Sequence, residues 1–192
     1  MAGGAILTLG LMGVAIIVAA TVGAFWVGML LALLNAALLV VIALALSMSE
    51  PLHPLSTGLA MVIAASSFAA RGTLFSKTLS RRAWLMALFV VAGEGSVLLI
   101  AAAFPGALPD WFLALLPAQW ANIAIQTSLT GTLTGAGTFA ASTSALIALA
   151  GTAATTLLAA RLYLQRWPYL LMFTAWLSLS ALVYFGSEQM AL

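Results

Sequence analysis

Residues Ala83 to Ala103 read AWLMALFVVAGEGSVLLIAAA, a run that is long and apolar enough to cross a lipid bilayer. About 20 apolar residues, at about 1.5 Å each in a helix, span the hydrocarbon core. Arg81 and Arg82 precede the run, and Phe104-Pro105-Gly106 follows it. The stretch therefore predicts a transmembrane helix.

The rest of the chain has the same character. Of its 192 residues, 65% are apolar and 5% are charged, and the mean hydropathy is +1.21. A soluble domain carries about a quarter of charged residues, so this composition cannot cover an aqueous surface. No hydrophilic block interrupts the sequence. We therefore predict that residues 1–192 form a single transmembrane domain, an all-α polytopic helical bundle without an extramembrane domain.

Several classes of chemistry find no residues to support them. The sequence has no cysteine, which excludes disulfides, thiolate metal sites and iron–sulfur clusters. The single histidine, His53, lies in a turn with two prolines (Ser47 to Leu55) at the start of the third predicted span, and the single lysine, Lys77, lies in a predicted loop. An intramembrane hydrolase lacks a base, and a retinal Schiff base lacks its lysine. We expect no catalysis by this chain alone, no metal or cofactor held by its own ligands, bound lipids, and no nucleic-acid partner.

Six segments are predicted to span the membrane, and two of them carry stripes of small residues. The segments are residues 3–20, 26–46, 52–70, 83–103, 138–160 and 169–185. The first two segments are joined by a tight turn around Gly23. Two sets of small residues recur at intervals of four: Ala15, Ala19 and Gly23, and then Gly28, Ala32 and Ala36. Such stripes allow helix backbones to approach closely.

The distribution of basic residues predicts the topology. The stretch from Arg71 to Arg82, RGTLFSKTLSRR, carries four of the six Lys and Arg residues and is predicted to be a cytoplasmic loop. If residues 121–137 do not cross, six helices place every basic residue on that side. If they do cross, seven helices place Arg161 and Arg166 on the other side. We favour six helices with a re-entrant or interfacial segment, in a bacterial cytoplasmic (inner) membrane.

Glu94 is the only ionisable residue that falls deep within a predicted span, between Gly93 and Gly95. An acid at that depth is a functional-site hypothesis by default. Because no basic side chain is expected at the same depth, the carboxyl should be neutral or paired with another chain. We predict an ion- or proton-handling site of Glu94 with Ser96 and Asn35 as neighbours. The alternative is a neutral glutamic acid that only fixes helix packing.

The stretch at residues 121–137, ANIAIQTSLTGTLTGAG, is the least apolar one of membrane length. Backbone at membrane depth that is not a regular span must be buried in protein or line water. The stretch is therefore predicted to lie in the interior and to line a path or an interface. The candidate residues are Asn122, Gln126, Thr127, Thr130 and Thr134.

Two functions are compatible with these features. The first is a non-catalytic subunit of a larger membrane assembly of respiratory, photosynthetic or transport type, in contact with other membrane subunits. The second is a self-associating channel or carrier for a small solute or ion, with Glu94 selecting or coupling. The sequence favours the first, because so few loops and charges suit a chain packed among others.

Overall fold

The computed structural model describes residues 2–45, 54–130 and 136–188, and these form helices and short turns without a strand. The helices are α1 (Ala2–Val22), α2 (Phe25–Ala45), α3 (Pro54–Leu79), α4 (Ala83–Ala103), α5 (Asp110–Leu113), α6 (Pro117–Thr130), α7 (Ala136–Arg161) and α8 (Trp167–Glu188). A short 3-10 turn, Ser80–Arg82, joins α3 to α4. The all-α class is therefore confirmed, and α4 has the predicted bounds.

Five apolar helical stretches are long enough to cross a membrane: Gly3–Val22, Phe25–Ala45, Pro54–Ala103, Ser142–Arg161 and Trp167–Gly186. The third is 50 residues long and comprises α3 and α4. It folds back on itself, because Arg71 of α3 and Glu94 of α4 are 3.1 Å apart. In one straight helix these two residues would be separated by about 34 Å. The described part of the chain thus contains six long apolar helices, as predicted.

The two stripes of small residues pack against each other. A side chain at Gly28 would meet the Cβ of Ala19 at 2.7 Å and the carbonyl oxygen of Ala15 at 2.9 Å. Gly28, Ala32 and Ala36 are the buried residues of α2. The turn between the two helices is made by Gly23, whose φ of 75° is readily adopted only by glycine. The predicted turn is confirmed, and the close approach that such stripes allow is found between α1 and α2.

The predicted loop from Arg71 to Arg82 is wrong, because α3 continues to Leu79 and leaves only the 3-10 turn as a connection. Hydropathy falls after Ala70, but the residues from Arg71 to Leu79 still extend the helix. A drop in hydropathy marks a change of surroundings, whereas the helix continues until the chain reverses. As a result, Arg71 lies inside the bundle, where α3 packs against α1, α2, α4, α6 and α7.

The remaining basic residues lie at one end of the bundle, which we call the basic end (Lys77, Arg81, Arg82, Arg161 and Arg166). Helices α3 and α7 run parallel, since Ser67 contacts Thr152 and Leu74 packs further along with Ala159 and Ala160. The final turns of both helices therefore share one end. Arg166 follows in the turn before α8. This arrangement agrees with the six-helix alternative and not with the seven-helix one.

Helix α6 is a short re-entrant helix of 14 residues. After α4 ends, the chain turns at Gly106 (φ 83°) and returns, so that the backbone of Ala118 meets Glu94 in the middle of α4. From there α6 runs back towards the start of α1, where Asn122 and Gln126 lie against Gly4. No residue from 117 to 129 is exposed. The predicted interior location of this polar stretch is confirmed for residues 121–129, whereas residues 131–135 lie outside the described part.

Candidate functional site

Arg71 and Glu94 form an ion pair within the bundle. Nη1 of Arg71 donates to Oε1 of Glu94 at 3.1 Å, and the two side chains are only 14% and 15% exposed. The prediction that Glu94 has no basic partner in its own chain is therefore wrong. It assigned Arg71 to a loop, whereas the longer α3 and the reversal at Ser80–Arg82 bring the guanidinium level with the carboxylate.

Glu94 also binds the start of the re-entrant helix. Its Oε2 accepts a hydrogen bond of 3.1 Å from the backbone N–H of Ala118, the second residue of α6. The first N–H groups of a helix have no partner within the helix, and they form the positive end of its dipole. The carboxylate therefore neutralises positive charge from two sources, the guanidinium of Arg71 and the N-terminus of α6.

One nitrogen of the Arg71 guanidinium is left without a hydrogen-bond acceptor among the described residues. The guanidinium carbon lies 5.3 Å from the centre of the Phe68 ring, which adds a cation–π contact. Its Nη2 is buried and has no hydrogen-bond acceptor within the described part of the chain. Buried polar atoms are nearly always paired with protein or water, so this nitrogen is an exception among the described residues.

The ion pair borders a cavity of about 300 Å³, which we call the central cleft. Its polar lining consists of Arg71, Glu94, Thr152 and Thr156, and the other nine lining residues are apolar. The thirteen lining residues as a whole come from α3, α4, α7, α8, the segment that leads into α6, and Pro117 at the start of α6. The apolar ones include the aromatic residues Phe75, Phe173 and Trp176. An apolar cavity with a few converging polar groups has the usual make-up of a small-molecule site.

Two tryptophans hold the segment before α6 in place. Nε1 of Trp176 in α8 donates to the carbonyl oxygen of Leu115 at 3.2 Å. Nε1 of the fully buried Trp120 donates to the carbonyl oxygen of Ala114 at 2.7 Å. These bonds satisfy carbonyls that no regular helix would pair within the bundle. The segment before α6, which forms one wall of the central cleft, is thus bonded to α8 and to α6.

The structure does not bring Ser96 and Asn35 to Glu94. Ser96 is exposed, and its hydroxyl donates to the carbonyl oxygen of Ala92 in its own helix at 2.7 Å. Two residues along a helix correspond to about 200° of rotation, so Ser96 faces away from Glu94. Asn35 lies against Gly10, at the contact of α2 with α1. The expectation that these residues are the polar neighbours of Glu94 is wrong.

The candidates in the polar stretch lie at the other faces of α6. Asn122 and Gln126 face α1, and the hydroxyl of Thr127 donates to Ile123 of its own helix at 2.6 Å. Buried oxygens of Thr8, Gln119 and Asn122 have no partner among the described residues. The side chain of Thr130 and the whole of Thr134 lie outside the described part. Of the described candidates, none of Asn122, Gln126 and Thr127 lines the central cleft.

Most residues of the central cleft were not among the candidates predicted from the sequence. Thr152 and Thr156 lie four residues apart in α7, on one face, within a segment that was interpreted as an ordinary span. Their spacing was a signal, but threonines on membrane helices usually bond their own backbone, as Thr152 does to Ala148 at 2.8 Å. Trp176 gave no signal at all, because only the fold brings it to Leu115.

Among residues 2–45, 54–130 and 136–188, no three of His, Cys, Asp and Glu lie together as ligands for a metal ion. Comparisons with family models, with curated proteins and with solved structures found no match.

Proposed function

We propose that this chain is a membrane transport protein for a small solute, with the Arg71–Glu94 pair and the central cleft as its binding site. The observation that carries the proposal is the ion pair itself, which is partly buried at the N-terminus of a re-entrant helix and borders a cavity. Ionisable residues inside membrane bundles are rare and mark substrate or ion pathways. Helices that begin near the bilayer midplane are a recurring feature of transporter binding sites.

Stability alone is a poor reason to keep such a pair. Removing two charges from water is expensive, and a buried ion pair is often no more stabilising than apolar residues of the same volume. Ala69 and Ala70, which precede Arg71 in α3, are buried and apolar, so this part of α3 packs in the bundle through uncharged side chains. A role in binding explains why a charged pair lies where leucines would pack.

We further propose that the basic end faces the cytoplasm of a bacterial cell and that the chain lies in its inner membrane. Five of the six basic residues lie at this end, and the positive-inside rule assigns such an end to the cytoplasm. Large apolar side chains on the outside of the bundle, such as Leu34, Phe89 and Leu170, suit contact with lipid. The role as a subunit of a larger assembly stays a prediction.

The test is reconstitution of the purified chain into liposomes. Uptake of a panel of small radiolabelled solutes should exceed that of empty liposomes for at least one class, and Thr156→Trp should abolish it by filling the central cleft. Ser178→Trp, on the exposed face of α8, is the matched control and should leave uptake unchanged. Uptake that is unaffected by Thr156→Trp would refute the site. Purification in mild detergent with stoichiometric foreign subunits would favour the subunit role.

A further inference from the structure

The geometry points to a ligand class for the central cleft: a small apolar molecule with one negative charge, which replaces Glu94 on Arg71 while Glu94 takes up a proton. This inference rests on the proposed function and specifies its substrate. The central cleft then binds an anion and a proton together. In the structure, Glu94 occupies the position on Arg71 that the negative group of the ligand would take.

The charge balance favours an anion. Arg71 and Glu94 together are neutral, so any charged ligand adds a net charge to a poorly solvated place unless a proton moves. An anion can be balanced, since a carboxylate that leaves the guanidinium can bind a proton from water. A cation cannot be balanced in this way, because arginine does not lose its proton in proteins. The pair thus accepts an added negative charge and rejects an added positive one.

The available donors also suit an anion. Glu94 uses only Nη1 of Arg71 and leaves the buried Nη2 without an acceptor. A carboxylate can accept from both nitrogens of a guanidinium at once, in the bidentate geometry that makes such pairs strong. The N-terminus of α6, now bound to Oε2 of Glu94, adds a positive end at the same place. Both groups that bind Glu94, the guanidinium of Arg71 and the N-terminus of α6, therefore attract a negative charge.

The lining residues of the central cleft indicate the chemistry of the uncharged part of the ligand. Nine of the thirteen lining residues are apolar, and three of them are the aromatic residues Phe75, Phe173 and Trp176. The hydroxyl of Thr152 is already bonded to its own helix and to Ser67. A sugar or another polar solute would lose its bonds to water without replacement. The ring or short chain of an aromatic or aliphatic monocarboxylate fits these walls.

Among the described residues, no other titratable group lies beside Glu94 to compete for the proton. Helix α4 packs against α1, α3, α6 and the 3-10 turn, whose Arg81 and Arg82 lie at the basic end. Helices α1 and α6 carry no ionisable side chain, and α3 presents Arg71, while its Lys77 lies at the basic end. Across the central cleft, α7 and α8 contribute Thr152, Thr156 and the apolar Met172, Phe173 and Trp176. A proton taken up on anion binding is therefore assigned to Glu94.

The experiment uses three probes that share a ring and differ in charge: benzoate, benzamide and benzylammonium. Each is titrated calorimetrically into the full-length chain in nanodiscs, with empty nanodiscs as background. Benzoate should bind at least about tenfold more tightly than the other two. Titration in two buffers of different ionisation enthalpy should give close to one proton absorbed per benzoate. Its affinity should rise as the pH is lowered, because a proton is taken up on binding.

Substitutions test whether proton uptake depends on Glu94 and whether benzoate binds in the central cleft. Glu94→Gln should bind benzoate with no proton uptake and no pH dependence, and Thr156→Trp should abolish binding, whereas Ser178→Trp should not. Benzoate binding without proton uptake by the unsubstituted chain would overturn the exchange with Glu94, even if Glu94→Gln fails to fold. Benzamide or benzylammonium binding as tightly would overturn the anion class but leave the proposed transport function standing. Absence of binding by all three probes would refute this ligand class, while uptake of another solute would still support transport.

Discussion

Arg71 and Glu94, 23 positions apart in the sequence, meet at 3.1 Å and join three helices at one point. Arg71 belongs to α3, Glu94 belongs to α4, and the second oxygen of Glu94 holds the first turn of α6. The position of the re-entrant helix is thus linked to the charge state of a single carboxyl group. If Glu94 leaves Arg71 or binds a proton, α6 loses part of what fixes its N-terminus. The exchange proposed above would therefore also remove a contact that holds the start of α6.

A double-mutant cycle tests how strongly the pair is coupled. Arg71→Leu and Glu94→Leu should each lower the free energy of unfolding by about 3–5 kcal/mol, because each leaves the other charge buried and unpaired. The double substitution should destabilise the protein by clearly less than the sum of the two. Unfolding in mixed micelles, followed by circular dichroism, gives all three values. Additive effects would show that the two side chains act independently.

Close contact between α1 and α3 depends on Gly72. A Cβ at this position would collide with the carbonyl oxygen of Ile16 and approach the Cβ of Ala19 to 2.8 Å. Gly72→Ala should force the backbones apart and destabilise the fold by about 1–3 kcal/mol. Gly58→Ala in the same helix is the control, since nothing lies within 4 Å of its Cβ position. It should be neutral or stabilising by up to about 1 kcal/mol. Equal losses in the two variants would contradict the packing.

The local parts of the fold could be predicted from the sequence. Apart from α3, which continues past its apolar run to Leu79, helix lengths follow from apolar runs, and small residues at intervals of four indicated helix faces that allow close approach. Both depend on residues that are neighbours along the chain. The interior position of the polar stretch followed from the cost of placing amides and hydroxyls against lipid. The fold class and the re-entrant segment were therefore within reach.

The site was only half predictable. Glu94 stood out because a carboxyl group inside an apolar run is costly, whatever surrounds it. Arg71 did not stand out, since it is followed by Lys77, Arg81 and Arg82 in what resembles a loop that determines topology. Its partner became visible only when α3 was seen to continue and α4 to turn back. The central cleft is wholly tertiary, because its walls come from segments that are far apart in the sequence.

The hydrogen bond from Trp176 to Leu115 should stabilise the segment that enters the membrane region before α6. Trp176→Phe removes the N–H donor and keeps an aromatic ring in the wall, so the carbonyl oxygen of Leu115 is left unpaired. We expect a loss of about 1–3 kcal/mol and faster hydrogen exchange in residues 110–117. Trp167→Phe is the control, since Trp167 is 51% exposed and its Nε1 donates only to Gln165, two residues earlier in the chain. An equal effect on exchange would rule out the anchor.

Labelling of single cysteines tests the arrangement of the ends, and the absence of natural cysteine makes the assay direct. Ser80 and Gln165 are exposed near the basic end, whereas Ala107 is exposed beyond the other end of α4. An impermeant maleimide added to intact cells should label Ala107→Cys and leave Ser80→Cys and Gln165→Cys unlabelled until the cells are opened. This follows from parallel α3 and α7 together with the positive-inside rule. Labelling of Gln165→Cys together with Ala107→Cys would restore the seven-helix alternative, and labelling only of Ser80→Cys and Gln165→Cys would reverse the proposed orientation but keep the fold.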